Sequence, residues 1–252
     1  MGQKSAYVSL LGDRKENQDR ATTVEADGAM LLIVVDGMGG HEGGAHAAEL
    51  SVASIKKAFL AQTHPVFDPQ GFMHHAIGQA HAAVVALGRD MSLETRPRAT
   101  CALCLVQDGA AYWTHVGDSR IYLLRNGAVK EHSRDHSYVE VLLYEGRLEP
   151  EQLATHPMRN YVERCLGGDL DMPRVSVSGR KVLQDKDCVL ACSDGFWGPL
   201  TAEQIAGITN ITGHFDANLK SLAQMAAKAA SPHSDNTSVA ALCFAAETEV
   251  TT

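Results

Sequence analysis

An α+β fold built on antiparallel sheets is what this sequence predicts, and three observations predict it. The run Leu31-Leu32-Ile33-Val34-Val35 is continuously apolar and rich in β-branched residues, the pattern of a strand buried on both faces. From Ala99 to Val129 three strand-like runs (Ala99 to Val106, Ala110 to Val116, Arg120 to Leu124) are joined by Asp108-Gly109 and closed by Asn126-Gly127. Both dipeptides favour tight hairpins, so an antiparallel meander is expected there. Gly43 to Gln62 is alanine-rich with Ala48, Val52, Ile55 and Phe59 at helical spacing, and a second helix is expected from Gln70 to about Met91. Helices of this kind pack on sheets.

The remaining elements follow in chain order. Ala6 to Leu11 reads as a short strand entering a charged loop, Gly12 to Asp19, in which the planar fork of Arg14 suits a phosphate or a carboxylate. The central strand ends abruptly in Asp36, followed by Gly37, Gly39 and Gly40, which let the backbone turn and approach a ligand. Taken alone this is either a tight turn or a ligand site. His46, His74, His75 and His81 lie on or beside the two helices, where packing or surface roles are the ordinary ones. His132 to about Met172 is the least regular region, with short helices expected over Ser137 to Tyr144 and Pro150 to Thr155, and it is a candidate mobile flap. Lys186 to Gly195 repeats the theme of a buried strand ending in Asp-Gly. Thr201 and Gln204 have capping-box spacing, Ala217 to Ala230 is helical, and Ser238 to Ala245 is a last strand.

Composition narrows the function. The chain has 252 residues, 45% of them hydrophobic, and no Pro/Ser-rich linker divides it, so residues 1–252 are expected to form a single domain. A formal charge of -8 with scattered Lys and Arg argues against a nucleic-acid partner and suits divalent cations. No apolar stretch approaches 18 residues and no signal-peptide pattern opens the chain, so a cytoplasmic protein with no membrane partner is expected. Cys101, Cys104, Cys165, Cys188, Cys192 and Cys243 mostly sit in apolar strand-like runs, the usual setting of reduced, buried thiols. Cys101 and Cys104, three apart in a strand, face opposite sides and make a poor zinc pair.

Four aspartates at or beside strand ends in glycine or turn contexts, Asp36, Asp118, Asp194 and Asp235, carry the functional signal. One would mean little; four widely separated ones suggest a common cleft. Carboxylates, glycine carbonyls and water favour hard cations such as Mg2+ or Mn2+ over zinc. Two such ions sharing a water lower its pKa and hold it for in-line attack on a phosphoryl group.

The ordered set Arg14-x-x-Asn17-Gln18-Asp19, Asp36-Gly37-Met38-Gly39-Gly40-His41, His115-Val116-Gly117-Asp118-Ser119-Arg120, Asp135-His136-Ser137, Cys192-Ser193-Asp194-Gly195 and Asp235-Asn236-Thr237 resembles the PPM (PP2C-type) metal-dependent serine/threonine protein phosphatases, in their bacterial branch. The resemblance covers essentially the whole chain. It implies a four-layer α-β-β-α sandwich of two antiparallel sheets flanked by helices, with a flap at about 138–172 that influences substrate choice. It also implies hydrolysis of phosphoserine and phosphothreonine by direct attack of a hydroxide bridging two Mn2+ or Mg2+ ions, with a weaker third ion. By the same resemblance Asp36 bridges both ions, the Gly37 carbonyl joins one, Asp194 and Asp235 ligate the other, Asp19 holds metal-bound water, and Asp118 with Asp194 forms the third site. Arg14 grips the substrate phosphate, and His41 serves as general acid or as a hydrogen-bond donor. Gln18 stands where many relatives have glutamate, which lowers the affinity expected for the second ion. The implied partners are a phosphorylated protein and its Ser/Thr kinase, with the phosphatase a monomer. The alternatives are a catalytically silent phosphatase-like binding module and another dinuclear metal phosphoesterase.

Overall fold

The computed structural model describes residues 3–38, 42–210 and 214–244. Two sheets pack face to face, and every strand pairing in them is antiparallel. The chain runs β1 (Lys4–Leu10), β2 (Asp19–Ala26), β3 (Ala29–Met38), α1 (Glu42–Leu60) and α2 (Pro69–Leu87). It continues through β4 (Arg98–Ala99), β5 (Cys101–Gln107), β6 (Ala110–Val116), β7 (Arg120–Arg125) and β8 (Ala128–His132). Next come α3 (Tyr138–Tyr144), a 3₁₀ turn (Pro150–Thr155), β9 (Leu166–Gly167), β10 (Lys181–Val182) and β11 (Cys188–Cys192). Last are α4 (Asp194–Trp197), α5 (Ala202–Ala206), a 3₁₀ turn (Gly207–Asn210), α6 (Phe215–Ala230) and β12 (Thr237–Cys243). One sheet has the order β1-β12-β11-β7-β8; the other is β10-β6-β5-β3-β4-β9, with β2 on β3.

The strand β3 shows why the layers stack as they do. Its even residues Leu32 and Val34 meet Cys104, Ile121, Val189 and Leu242 between the sheets. Its odd residues Leu31, Ile33 and Val35 meet Ile55, Phe59 and Ile77 of the helices outside. A strand with apolar partners on both faces has no polar face to show, hence the unbroken apolar run. A third cluster seals the other outer face, where Leu190 and Ala241 lie under Phe196, Leu219 and Ala223. Cys101 packs on the helix side and Cys104 between the sheets, as their spacing requires, and all six cysteines are free thiols.

Several expectations need correction. Ala99 to Val129 is not one meander: β5 and β6 belong to one sheet, β7 and β8 to the other. The two hairpins are real, with positive φ at both turn residues (Asp108 48° and Gly109 63°, Asn126 50° and Gly127 75°). Between them, however, the chain crosses from sheet to sheet at Gly117-Asp118-Ser119. Gly117 has φ 93°, and a Cβ there would lie 2.6 Å from Cγ2 of Thr100, so only glycine makes this crossing. The strand β2 was not anticipated, although Asp27 (φ 41°) and Gly28 (φ 79°) form the same kind of turn into β3. Asp36 does not end its strand, since β3 runs on to Met38, and the second buried strand stops at Cys192 so that Asp194 opens α4. The helix α2 ends at Leu87, where Gly88 caps it, rather than near Met91. The short helices of the irregular region fall where expected. Among the described residues no helix is long and apolar enough to cross a membrane.

Candidate metal centre

The site lies where β3, the sheet crossing, α4 and the loop before β12 open onto one cavity of about 670 Å³. Arg14, Asp36, Gly37, Asp118, Asp194 and Asp235 all line it, and Asn160 and Val162 reach its rim from the irregular region. Asp19 sits one layer behind, directly opposite Asp36 in the β2–β3 register, and is almost wholly buried. Six of the residues singled out from the sequence therefore meet in the cavity and a seventh supports them. His41, with Gly39 and Gly40, falls outside the described residues.

The backbone around Asp36 is built for close approach. The Gly37 amide donates to the Gln18 carbonyl at 3.1 Å, and a Cβ on Gly37 would run into the carbonyl oxygen of Gly44 in the first turn of α1. A side chain at either glycine would push the helix off the strand.

The electrostatics are those of crowded acids. Asp36 and Asp194 keep part of their surface open to the cavity, while protein surrounds them elsewhere. Burial, and then the neighbouring carboxylates, raise both well above the usual carboxylate range. Burial also raises Asp19 and Asp118 to about 6, with Asp135 the next cause for Asp118. Among the described residues none of these four has a Lys, Arg or His within ion-pair distance; only Asp235, at the cavity mouth, is held by Arg14 at 2.5 Å. Several carboxylates confined together without a counter-ion favour either proton uptake or a bound cation.

The donor set fits a divalent cation of the hard class: carboxylates, one backbone carbonyl, and volume for water. Among the described residues no three Asp, Glu, His or Cys side chains gather tightly enough to enclose an ion unaided. The all-oxygen donors suit Mg2+ or Mn2+, whose shells are completed by water and substrate oxygens, better than they suit zinc.

Three supporting residues received no role from the sequence. Ser193 donates to Oδ2 of Asp19 at 2.7 Å and accepts from the Ser238 amide at 3.0 Å, fixing the buried acid between the two sheets. Asn236 accepts from the Gln18 amide (2.8 Å) and donates to the carbonyls of Leu11 (2.8 Å) and Glu16 (3.0 Å), so one side chain holds the loop that carries Arg14. Trp197 donates to the Asp118 carbonyl at 3.0 Å, and the Arg120 guanidinium stacks 3.4 Å from its ring centroid. Arg120 in turn clamps both oxygens of Asp135 at 2.7 and 2.8 Å. Ser193 and Asn236 each adjoin a cavity aspartate in sequence, which was the available signal.

Known proteins carry the same pattern. The sequence profile of the protein phosphatase 2C family matches residues 9–234. Protein phosphatase PhpP of Streptococcus pneumoniae is 31% identical over 208 residues, 80% of this chain and 83% of PhpP. The crystal structure of the Mycobacterium tuberculosis serine/threonine phosphatase PstP/Ppp superposes with a TM-score of 0.82 at 29% identity, covering 97% of this chain and 99% of that one. The PstP catalytic domain in complex with two manganese ions superposes with a TM-score of 0.80 at 27% identity, covering 97% and 99%.

Proposed function

This chain belongs to the protein phosphatase 2C family, and from that premise we propose that it removes phosphate from phosphoserine and phosphothreonine of proteins, using two Mn2+ or Mg2+ ions held in the aspartate cavity. The observation that carries the proposal is the convergence of Asp36, Asp118, Asp194 and Asp235 on one cavity, three of them without a protein cation among the described residues. When bound, the cations supply charge neutralisation for the phosphoryl group and a water of lowered pKa.

The chain's own residues do the rest. Asp36, the Gly37 carbonyl, Asp194 and Asp235 are the proposed direct ligands, and Asp19 orders water from behind Asp36. Asp118 is the proposed carboxylate of a weaker third site with Asp194. Arg14 is more than half exposed at the mouth, so its fork is free to exchange Asp235 for a substrate phosphate. His41 is proposed as general acid toward the leaving serine or threonine oxygen, or as a hydrogen-bond donor alone. Asn160 and Val162 stand where the polypeptide flanking the phosphoresidue would pass, giving the flap at about 138–172 its influence on substrate choice. A Ser/Thr kinase as the source of substrate, a single-domain monomer and a cytoplasmic setting belong to the same proposal.

The test is hydrolysis of a phosphothreonine peptide by metal-stripped protein titrated with Mn2+ or Mg2+, beside the Asp194→Ala variant. Turnover that requires the cation and is lost in the variant supports the reading. Silence with every ion, despite calorimetric metal binding, replaces it with a binding module. Arg14→Ala is expected to raise KM about tenfold with little change in kcat, and an unchanged KM would make Arg14 structural only.

A further inference from the structure

At the end of the β1-β12-β11-β7-β8 sheet farthest from the cavity, Cys188 of β11 and Cys243 of β12 stand directly opposite each other. Their position in the ladder is fixed by its hydrogen bonds. Phe244 donates to the Asp187 carbonyl at 2.7 Å and Ser193 to the Ser238 carbonyl at 3.0 Å, so the pairs 187/244 and 193/238 are hydrogen-bonded. The alternation of an antiparallel ladder then makes 188/243 a non-hydrogen-bonded pair, the kind whose Cα atoms and side chains approach most closely. That separation lies within the range a disulfide spans. Both side chains point to the same outer face, against the cluster under α6.

From this juxtaposition we propose that Cys188 and Cys243 form a redox-active thiol pair, which a hydroperoxide converts reversibly to a cross-strand disulfide. The two thiols differ in the way such chemistry needs. Cys243 is half-buried and reachable, whereas Cys188 is fully covered. The neighbouring Cys188 thiol and then Lys4 on β1 lower the Cys243 thiol below the usual thiol range, against burial, Asp185 and Asp187. Asp187 is itself held by Arg125.

Because a peroxide reaches Cys243 and not the covered Cys188, Cys243 is the attacking sulfur. Its thiolate attacks one peroxide oxygen, the O–O bond breaks, and the departing oxygen takes a proton and leaves as water or alcohol. The Cys188 sulfur then attacks the sulfenic sulfur of Cys243, the S–O bond breaks, and the Cys188 proton accompanies the oxygen as water. Two electrons pass from the thiol pair to the peroxide. The pair is not part of the cavity, but it ties together the two strands that lead at their other ends into Asp194 and out of Asp235.

The experiment treats the full chain, freed of metal by a chelator, with hydrogen peroxide, blocks the remaining thiols by alkylation, and maps the unreduced digest by mass spectrometry. The expected result is a single cross-link between the peptides of Cys188 and Cys243, with two alkylatable thiols lost and regained on adding dithiothreitol. Because the link closes a loop of about 55 residues, the unfolding midpoint of the oxidised protein is expected to rise by about 5 °C or more. In Cys188→Ala, Cys243 is expected instead to take up dimedone as the trapped sulfenic acid, while Cys165→Ala leaves the cross-link intact. Oxidation of Cys165 ahead of Cys243, or conversion of Cys243 to a sulfinic acid in the unmutated chain with no link formed, would overturn the proposal. The readout is mass, so it stands or falls independently of the phosphatase reading.

Discussion

The rear of this molecule and its cavity both take aspartates out of water, and they treat them differently. At the rear, Asp187 is fully buried and Arg125 meets both its oxygens, at 2.8 and 2.6 Å; beside the cavity, Asp135 receives the same bidentate clamp from Arg120. In the cavity, Asp19, Asp36, Asp118 and Asp194 have no such clamp among the described residues. The fold is evidently able to supply an arginine to a buried acid. Where it does not, crowded acids are kept at a cost to the protein alone, a cost that the proposed cation would offset.

The sharpest way to break this contrast is to neutralise one acid of each kind. Asp36→Asn is expected to lower Mn2+-dependent turnover of a phosphothreonine peptide about 10³-fold or more. In metal-free protein the same change should raise unfolding stability in urea by about 1 kcal/mol, because it relieves repulsion. A metal-free variant less stable than the parent would show that Asp36 is held by contacts of its own. Asp187→Asn, by contrast, strands Arg125 and is expected to cost about 3 kcal/mol of stability while leaving turnover per folded molecule unchanged.

Adding the missing charge should act like adding an arginine. Mn2+ at about 100 times its dissociation constant is expected to stabilise the stripped protein by about 2.7 kcal/mol, a rise of roughly 5–10 °C in Tm, and Asp36→Asn should lose most of that rise. Calorimetry that shows equal stabilisation in both proteins would put the ion elsewhere.

A smaller effect comes from pH. The cavity carboxyls hold their protons to higher pH in the folded state than in the unfolded chain, Asp19 and Asp118 to about 6 and Asp36 and Asp194 above the usual range. The folded state therefore binds more protons than the unfolded one above about pH 4, and stability falls as pH rises through that window. Urea titrations of chelator-treated protein at pH 4.5 and 7.5 are expected to differ by about 2 kcal/mol in favour of the lower pH, and saturating Mn2+ should reverse the sign. A metal-free protein more stable at pH 7.5 would mean that these acids ionise without penalty.

Much of this was legible in the sequence because it was written locally. The apolar run before Asp36 has one physical meaning at that length, and Asp108-Gly109 and Asn126-Gly127 demand the positive φ values they adopt. The crossing at Gly117 was not legible, since a glycine turn that returns into its own sheet and one that leaves for another differ only in distant contacts. Here the deciding contact is Thr100, 17 positions earlier, against which no Cβ fits. The strand β2 was hidden because its residues are mixed in polarity and mostly half-exposed on both faces, although Asp27-Gly28 announced its hairpin. Among site residues, acids beside glycines stood out, whereas Ser193 and Asn236 act through bonds to Asp19, Gln18, Leu11 and Glu16, partners 174 to 225 positions away.

Those long-range bonds, together with the pairing of β1 with β12 alone, give the molecule a timetable. The strand β1 has to wait for β12, and the loop bearing Arg14 waits for Asn236. At roughly 5–20 residues per second on the ribosome, that interval is on the order of 10–50 s. The sheet from β2 to β6 has its neighbours early and is free to assemble meanwhile. A chain halted before Asp235 would then hold a finished half-sandwich and no working cavity, so a growing chain carries no phosphatase activity until β12 has been made. Ribosome-arrested chains of increasing length, assayed with a phosphothreonine peptide, should show turnover appearing in one step once β12 has emerged; a gradual rise from shorter chains would contradict this order.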